Sequence, residues 1–292
     1  MQPTAQAVGE DSVKQQAPEG RKKIPVDIYW LEQTEPDVPA DNQWLCANEI
    51  LRLTAMRIPK RRADWRLGRW TAKQAVAACL NLPSDARALA NIEIRAAVSG
   101  APEVFLYNQP ADIAISLSHR AGTALCTVAP PGATFGCDLE MIESRSDAFI
   151  ADYFTVAEKA IIYRTSVAER ALVLALLWSG KESALKALRV GLRLETTCMC
   201  VSPFDSWSQM SGACDPILPE ATNPDGWRPL QVRYSAGQVF GGWWRAQKGL
   251  VRTLVSNPPL PAPLRARDDL SVPAPVAART AAPPCSDWKN SP

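Results

Sequence analysis

The sequence predicts an α+β protein. Two long helical patterns, residues 62–80 and 168–188, are separated by a run of strand patterns from Ile92 to Ile142. Further strand patterns between Val232 and Val255 close the chain, with Gly237, Gly241 and Gly242 at bends. In chain order, Ile24, Val26, Ile28 and Trp30 alternate as in a half-buried strand, and Pro25 favours its start or an edge position. Asp41 is a candidate N-cap for a helix carrying Trp44, Leu45, Ile50 and Leu51 that ends before Pro59. Strands then follow at 92–98, 104–106, 113–117 and 124–128, with a Ser99-Gly100-Ala101-Pro102 turn, and another runs from Ala133 to Ile142. Residues 152–163 read as a further helix, and 201–229 as a polar, Pro-rich loop.

Length and composition set the organisation. A chain of 292 residues with 47% apolar content can build a sizeable core. We read residues 1–23 as a disordered leader, 24–132 as an N-terminal half, 133–256 as a C-terminal half and 257–292 as a Pro/Ala-rich disordered tail. The break between halves is Pro130-Pro131-Gly132, and no short internal repeat is visible. A formal charge of +2, from 32 basic and 30 acidic residues, argues against a nucleic-acid or membrane-surface binder. Any anion site must be local. Eight Cys without a CxxC pair and a single His provide no ordinary zinc set, and reduced thiols suit a cytoplasmic protein. The longest leucine-rich run, Ala171–Trp178, is too short to span a bilayer.

Two stretches carry chemistry. On a helix, Trp178, Glu182 and Lys186 stack at i, i+4 spacing, so a carboxylate sits between an aromatic ring and a cation. A lone KExxxK is commonly a surface ion pair; an upstream acidic pair changes the reading. Asp138 and Glu140 stand at i and i+2 of a strand and project to one face, with Gly136 allowing close backbone approach. Three carboxylates without His or Cys beside them point to magnesium, which leaves coordination positions for water and substrate phosphates. In the other half Arg62, Arg66, Arg69 and Lys73 form one basic stripe, readable as a solvated face or as a phosphate-binding edge. The physical sum is phosphoryl-group chemistry on a diphosphate substrate.

These residues resemble the Sfp-type 4'-phosphopantetheinyl transferases. The matching pieces occur in family order: Arg62, Gly68-Arg69 and Lys73; Ser118-His119; Gly136-Cys137-Asp138-Leu139-Glu140; Phe154 with Glu158; Trp178, Lys181-Glu182 and Lys186. They span residues 60–190. The resemblance implies two similar α+β halves in a pseudo-twofold arrangement with the active site in the cleft between them. It also implies transfer of the 4'-phosphopantetheine group from coenzyme A to a serine hydroxyl of an acyl or peptidyl carrier protein, releasing 3',5'-ADP.

On that resemblance Asp138, Glu140 and Glu182 hold Mg2+, with Mn2+ as an alternative. Glu182 is the candidate base, Glu158 a helper, and Lys186 neutralises charge at the reacting phosphate, ahead of Lys181. Arg69 and Lys73, assisted by Arg62, and His119 with Ser118 contact the phosphates of coenzyme A. Ser118 and His119, adjacent on a strand, point to opposite faces and cannot form a triad directly. Cys137 should face away from the two carboxylates. The family's Gly-Lys-Pro is Gly100-Ala101-Pro102 here, and Arg95 or Arg120 are the candidates to replace that lysine. The common Asn before the Ser-His motif is Ser116. The expected partners are carrier proteins and coenzyme A, without nucleic acid or membrane, and the expected state is a cytoplasmic monomer. A non-catalytic coenzyme A or carrier-protein scaffold and a magnesium-dependent phosphoesterase are the competing readings.

Overall fold

The computed structural model describes residues 27–203 and 225–266. The expected leader, and the expected tail beyond 266, lie outside the described residues, as does most of the expected 201–229 loop. The chain opens with strand β1 (Tyr29–Thr34), followed by helices α1 (Ala47–Ala55), α2 (Pro59–Cys79) and α3 (Ala86–Leu89). Strands β2 (Ile92–Ala96), β3 (Pro102–Leu106), β4 (Gln109–Pro110), β5 (Ala114–Arg120), β6 (Thr123–Ala129) and β7 (Thr134–Met141) come next. Then come α4 (Asp147–Tyr153), α5 (Val156–Arg164), α6 (Val167–Ala187), and strands β8 (Met199–Ser202), β9 (Arg228–Tyr234), β10 (Val239–Gln247), β11 (Leu250–Asn257) and β12 (Leu264–Arg265). The fold class is α+β.

Strands build a sheet of order β12-β1-β6-β5, a second of order β7-β11-β10-β9-β8, and a small β2-β3-β4 sheet. Helix α2 buries Ala72, Ala75 and Val76 in a core with Trp44, Leu53, Ile94 and Val128. Helix α6 buries Leu174, Leu177, Ala184 and Leu185 against Met199, Val232 and Val255 of the second sheet. A third core, with Trp30, Leu125, Cys137, Leu139, Trp227 and Leu254, joins β1 and β6 to β7 and β11. The helix expected over 152–163 is instead two, α4 and α5, because Phe154 is extended and Thr155 caps a new start with Glu158 in a capping box. The first helix begins after Cys46 rather than Asp41.

A buried motif occurs twice, once around α2 and once around α6. In the first, the Glu49 carboxylate accepts the backbone N–H of Cys46 (3.2 Å) and of Ile94 (3.1 Å), 45 residues on, and pairs with Lys73 Nζ at 2.5 Å. Lys73 donates its other protons to the carbonyls of Trp44 and Leu89. In the second, Glu158 accepts the N–H of Thr155 (2.8 Å) and of Val201 (2.8 Å), 43 residues on, and pairs with Lys181 Nζ at 2.8 Å. Lys181 donates to the carbonyls of Thr196 and Met199. Both lysine side chains are 0% exposed. Each cassette ties a helix N-terminus to a long helix and to the strand beyond, and each is chemically complete.

Several contacts tie the first sheet to the second. The Cys137 N–H at the edge of β7 donates to Ser116 Oγ on β5 (3.0 Å). Arg252 on β11, 1% exposed, donates through Nε and NH2 to both carboxylate oxygens of Glu32 on β1 at 2.6 and 2.7 Å. Residues 257–266, expected to begin a disordered tail, return instead to the first sheet, because β12 pairs in parallel with β1 through Leu264 N–H to Ile28 O and Ala266 N–H to Trp30 O.

Breaking a buried ion pair from one side strands the other charge, at a cost of about 3–5 kcal/mol. Lys181→Met should therefore lower stability by about that amount in thermal or urea melts. Adding Glu158→Gln should restore part of the loss, because it neutralises the stranded carboxylate while keeping an acceptor for the N–H groups. An unchanged melting curve for Lys181→Met would contradict the structural role.

Candidate active site

Close packing of a helix on a strand creates the site. At Gly136 of β7, an added Cβ would lie 2.2 Å from the Ser183 carbonyl and 2.6 Å from the Ala187 nitrogen of α6. Only glycine permits that approach. Helix α6 is held from the other side as Ser179 and Ser183 hydroxyls meet Thr253 Oγ1 of β11 at 2.8 and 2.6 Å. This sets the faces of Asp138 and Glu140 against Trp178, Glu182 and Lys186.

The polar contacts then follow. Lys186 Nζ donates to Asp138 Oδ1 (2.8 Å) and to the Cys137 carbonyl (3.0 Å), and Ser118 Oγ on β5 donates to the same Asp138 oxygen (2.9 Å). Trp178 Nε1 donates to Glu140 Oε1 (3.2 Å), with its ring packed on Phe149 and Tyr153. Arg120 and Arg145 each approach Glu140 Oε2 at 3.6 Å, and both also pair with Glu143. Asp138 Oδ2 and Glu140 Oε2 are nevertheless buried without a hydrogen-bond partner.

Crowded carboxylates raise one another's proton affinity. Burial, then the Asp138 and Glu140 charges, push Glu182 up to about 7, with Lys186 opposing. Burial and Asp138 raise Glu140 in turn, offset by Arg120 and Arg145. For Lys186 burial favours the neutral amine, but Asp138 outweighs it and holds the group above its ordinary value. Lys186 is thus paired chiefly with Asp138 rather than with Glu182 on its own helix.

Several sequence-expected residues are directed elsewhere. Lys73, Lys181 and Glu158 lie inside the two buried cassettes, where burial depresses both lysines despite the opposing glutamates. No side-chain proton of theirs faces the cavity. Arg62 donates to the carbonyls of Leu53 and Met56 and closes the end of α1. Arg66 bonds the carbonyls of Pro39, Ala40 and Asp41. Arg69 lies 3.8 Å from Glu49 and over the Trp65 ring, only 13% exposed. The expected phosphate-binding stripe is therefore largely spent on the protein's own carbonyls and on Glu49. Arg95 turns to Glu93 and Asn108 and stacks on Phe105, and Arg120 is engaged with Glu140 and Glu143, so neither replaces the lysine absent at Ala101. His119 is exposed on the strand face opposite Ser118, and partial desolvation lowers its proton affinity against the pull of Asp64. Arg145 was not expected from sequence, since it lies in the irregular stretch after β7 where no periodicity marks it.

A cavity of about 660 Å³ opens beside these groups, lined by the 99–102 turn, Ser116, Thr134, Phe135, Lys186 and Arg189. Among the described residues no three His, Cys, Asp or Glu side chains form a ready metal cage. The donor chemistry still fits a hard divalent cation: carboxylate oxygens only, two of them buried and unpartnered, with the proton affinities of Glu140 and Glu182 raised.

The family model of the 4'-phosphopantetheinyl transferase superfamily matches residues 134–221, which include Asp138, Glu140, Glu182 and Lys186. The matched segment begins at β7 and takes in all of α6. Among solved structures, the chain is similar to Helicobacter pylori holo-[acyl-carrier-protein] synthase (AcpS) in complex with coenzyme A, at 19% identity over 35% of this chain and 98% of that chain, with a TM-score of 0.25. No curated protein matches the chain. Among the described residues no helix is long and apolar enough to cross a membrane.

The raised affinity of Glu182 has a stability signature. Its folded value, about 7, exceeds the ordinary 4.5, so the unfolded chain gives up this proton first and stability falls as pH rises between those values. Glu182→Gln should therefore stabilise the metal-free protein at pH 8 by about 1–2 kcal/mol after solvent screening, and leave it little changed at pH 4. Added Mg2+ should raise the melting temperature of the wild type and not of the variant. Equal curves for the two proteins at pH 8, with no response to Mg2+, would count against the charge cluster.

Proposed function

We propose that the chain transfers the 4'-phosphopantetheine group of coenzyme A to a serine hydroxyl of an acyl or peptidyl carrier protein. The observation that carries this reading is the meeting of Asp138, Glu140, Glu182 and Lys186, the last of which also lines the cavity, within the segment matched by the superfamily. The features quoted from the Sfp-type pattern support that subtype.

The reaction forms a bond between the serine oxygen and the β-phosphorus of coenzyme A and breaks the bond to the leaving 3',5'-ADP. Glu182, held near neutrality and partly exposed, accepts the serine proton. Lys186, kept charged by Asp138, faces the developing negative charge on the phosphoryl oxygens. Asp138 and Glu140, with Glu182, would hold Mg2+ or Mn2+. When bound, that cation supplies Lewis acidity to the diphosphate. Ser118 fixes the Asp138 rotamer, and Trp178, wedged among Phe149 and Tyr153, fixes Glu140. Six free cysteines among the described residues support a reducing, cytoplasmic setting, and we expect the chain to act as a monomer.

The test is mass spectrometry of candidate carrier proteins incubated with coenzyme A and Mg2+. The expected product carries one added phosphopantetheine on serine, and excess EDTA should suppress it. Glu182→Gln should lower kcat at least ~10²-fold with the fold retained. Release of phosphopantetheine or nucleotide without carrier modification would instead indicate a phosphoesterase, and tight coenzyme A binding without turnover a scaffold.

A further inference from the structure

Beside the acidic cluster, a hydrogen bond that the chemistry favours is left unmade. Arg120 Nε on β5 and Glu140 Oε2 on β7 face each other at 3.6 Å, and both atoms are buried without a hydrogen-bond partner. Arg145 NH2 stands off the same oxygen, also at 3.6 Å. A charge-assisted bond between such groups closes to about 2.7–2.9 Å. Keeping a buried donor and acceptor apart is costly, so the gap calls for a restraint.

Glu143 supplies it. Its Oε1 accepts Arg120 NH2 at 3.3 Å and pairs with Arg145 NH2 at 3.0 Å, so both guanidiniums lie nearer to Glu143 than to Glu140. The Glu143 side chain is 36% exposed against 14% for Glu140; the more exposed glutamate carries the arginines and the more buried one is spared. Arg145 is braced further over the Phe149 ring, 5.2 Å from its centroid. Phe149 in turn packs on Trp178, which donates to the other oxygen of Glu140. Glu140 is thus gripped at Oε1 and left open at Oε2.

We propose that Glu143 is a positioning residue for the metal: by holding Arg120 and Arg145 back, it keeps Glu140 Oε2 free to ligate a divalent cation. The inference rests on the assignment of Glu140 as a metal ligand in the reading above. An oxygen closed on two guanidiniums is already neutralised, and a cation would have to displace both to reach it. Glu143 gives the arginines a partner outside the cation's position, and it acts through them rather than by ligation.

Mn2+ binding to the full chain without coenzyme A, followed by electron paramagnetic resonance of the free ion, tests this without turnover. Glu143→Ala should weaken Mn2+ binding about tenfold, as expected for one charge-assisted contact, and Glu143→Gln, which keeps an acceptor oxygen, should lose less. In an Arg120→Gln/Arg145→Gln background the effect of Glu143→Ala should disappear, because no guanidinium remains to close on Glu140. An equal loss in both backgrounds would mean that Glu143 acts only as a distant negative charge and would overturn the inference. Unaltered affinity in Glu143→Ala, or no Mn2+ binding by wild type, would overturn it as well. A second readout needs no metal: Glu140→Gln should lower the melting temperature more in the Glu143→Ala protein than in wild type, and equal shifts would contradict the proposal. Glu143-dependent Mn2+ binding in a protein that modifies no carrier would keep this inference while removing the transferase reading. Carrier modification with Mn2+ affinity unaltered by Glu143→Ala would do the reverse.

Discussion

The contact of α6 with β7 at Gly136 governs the site. Where the Ser183 carbonyl and the Ala187 nitrogen come within van der Waals reach of that glycine, no side chain can be accommodated. The approach brings two carboxylates of a strand against one carboxylate and one ammonium of a helix. Their repulsion is borne because the same helix face is tied to Thr253 of the neighbouring strand β11, and β7 is tied to Ser116. Burial first, and then the Asp138 charge, raise the proton affinities of Glu140 and Glu182. A site that is uncomfortable when empty of cations is one that gains on binding them.

The paired Glu–Lys cassettes give the halves a common plan beneath dissimilar sequences. Each uses one glutamate to satisfy a helix N-terminus, a remote strand N–H and a lysine, and each lysine is finished by two carbonyls. Replacing such a unit piecemeal leaves an unpaired charge inside the core. Both cassettes position the long helices, and of the two helices α6 carries Glu182 and Lys186.

Much of the site was readable from spacing. Period two placed Asp138 and Glu140 on one face, and period 3.6 stacked Trp178, Glu182 and Lys186; both geometries are local, so sequence suffices. The stripe of Arg62, Arg66, Arg69 and Lys73 was also real as a stripe, but its meaning depended on Glu49 and on carbonyls of another segment, which no local pattern reports. The same holds for Lys181 and Glu158, whose partners are each other. The helices were legible as lengths, whereas the split at Phe154 and Thr155 needed the capping geometry of α5.

The last described strand completes the first sheet. β12 lies beside β1, so a sheet begun at residue 29 receives its edge only after the entire segment bearing the acidic cluster has been made. During synthesis the N-terminal half would leave the ribosome with its opening strand still lacking one neighbour and with Glu32 still lacking Arg252. The edge of the first sheet is therefore the last part of the described fold to be set in place, and a nascent chain stopped short of residue 264 would leave β1 exposed on that side.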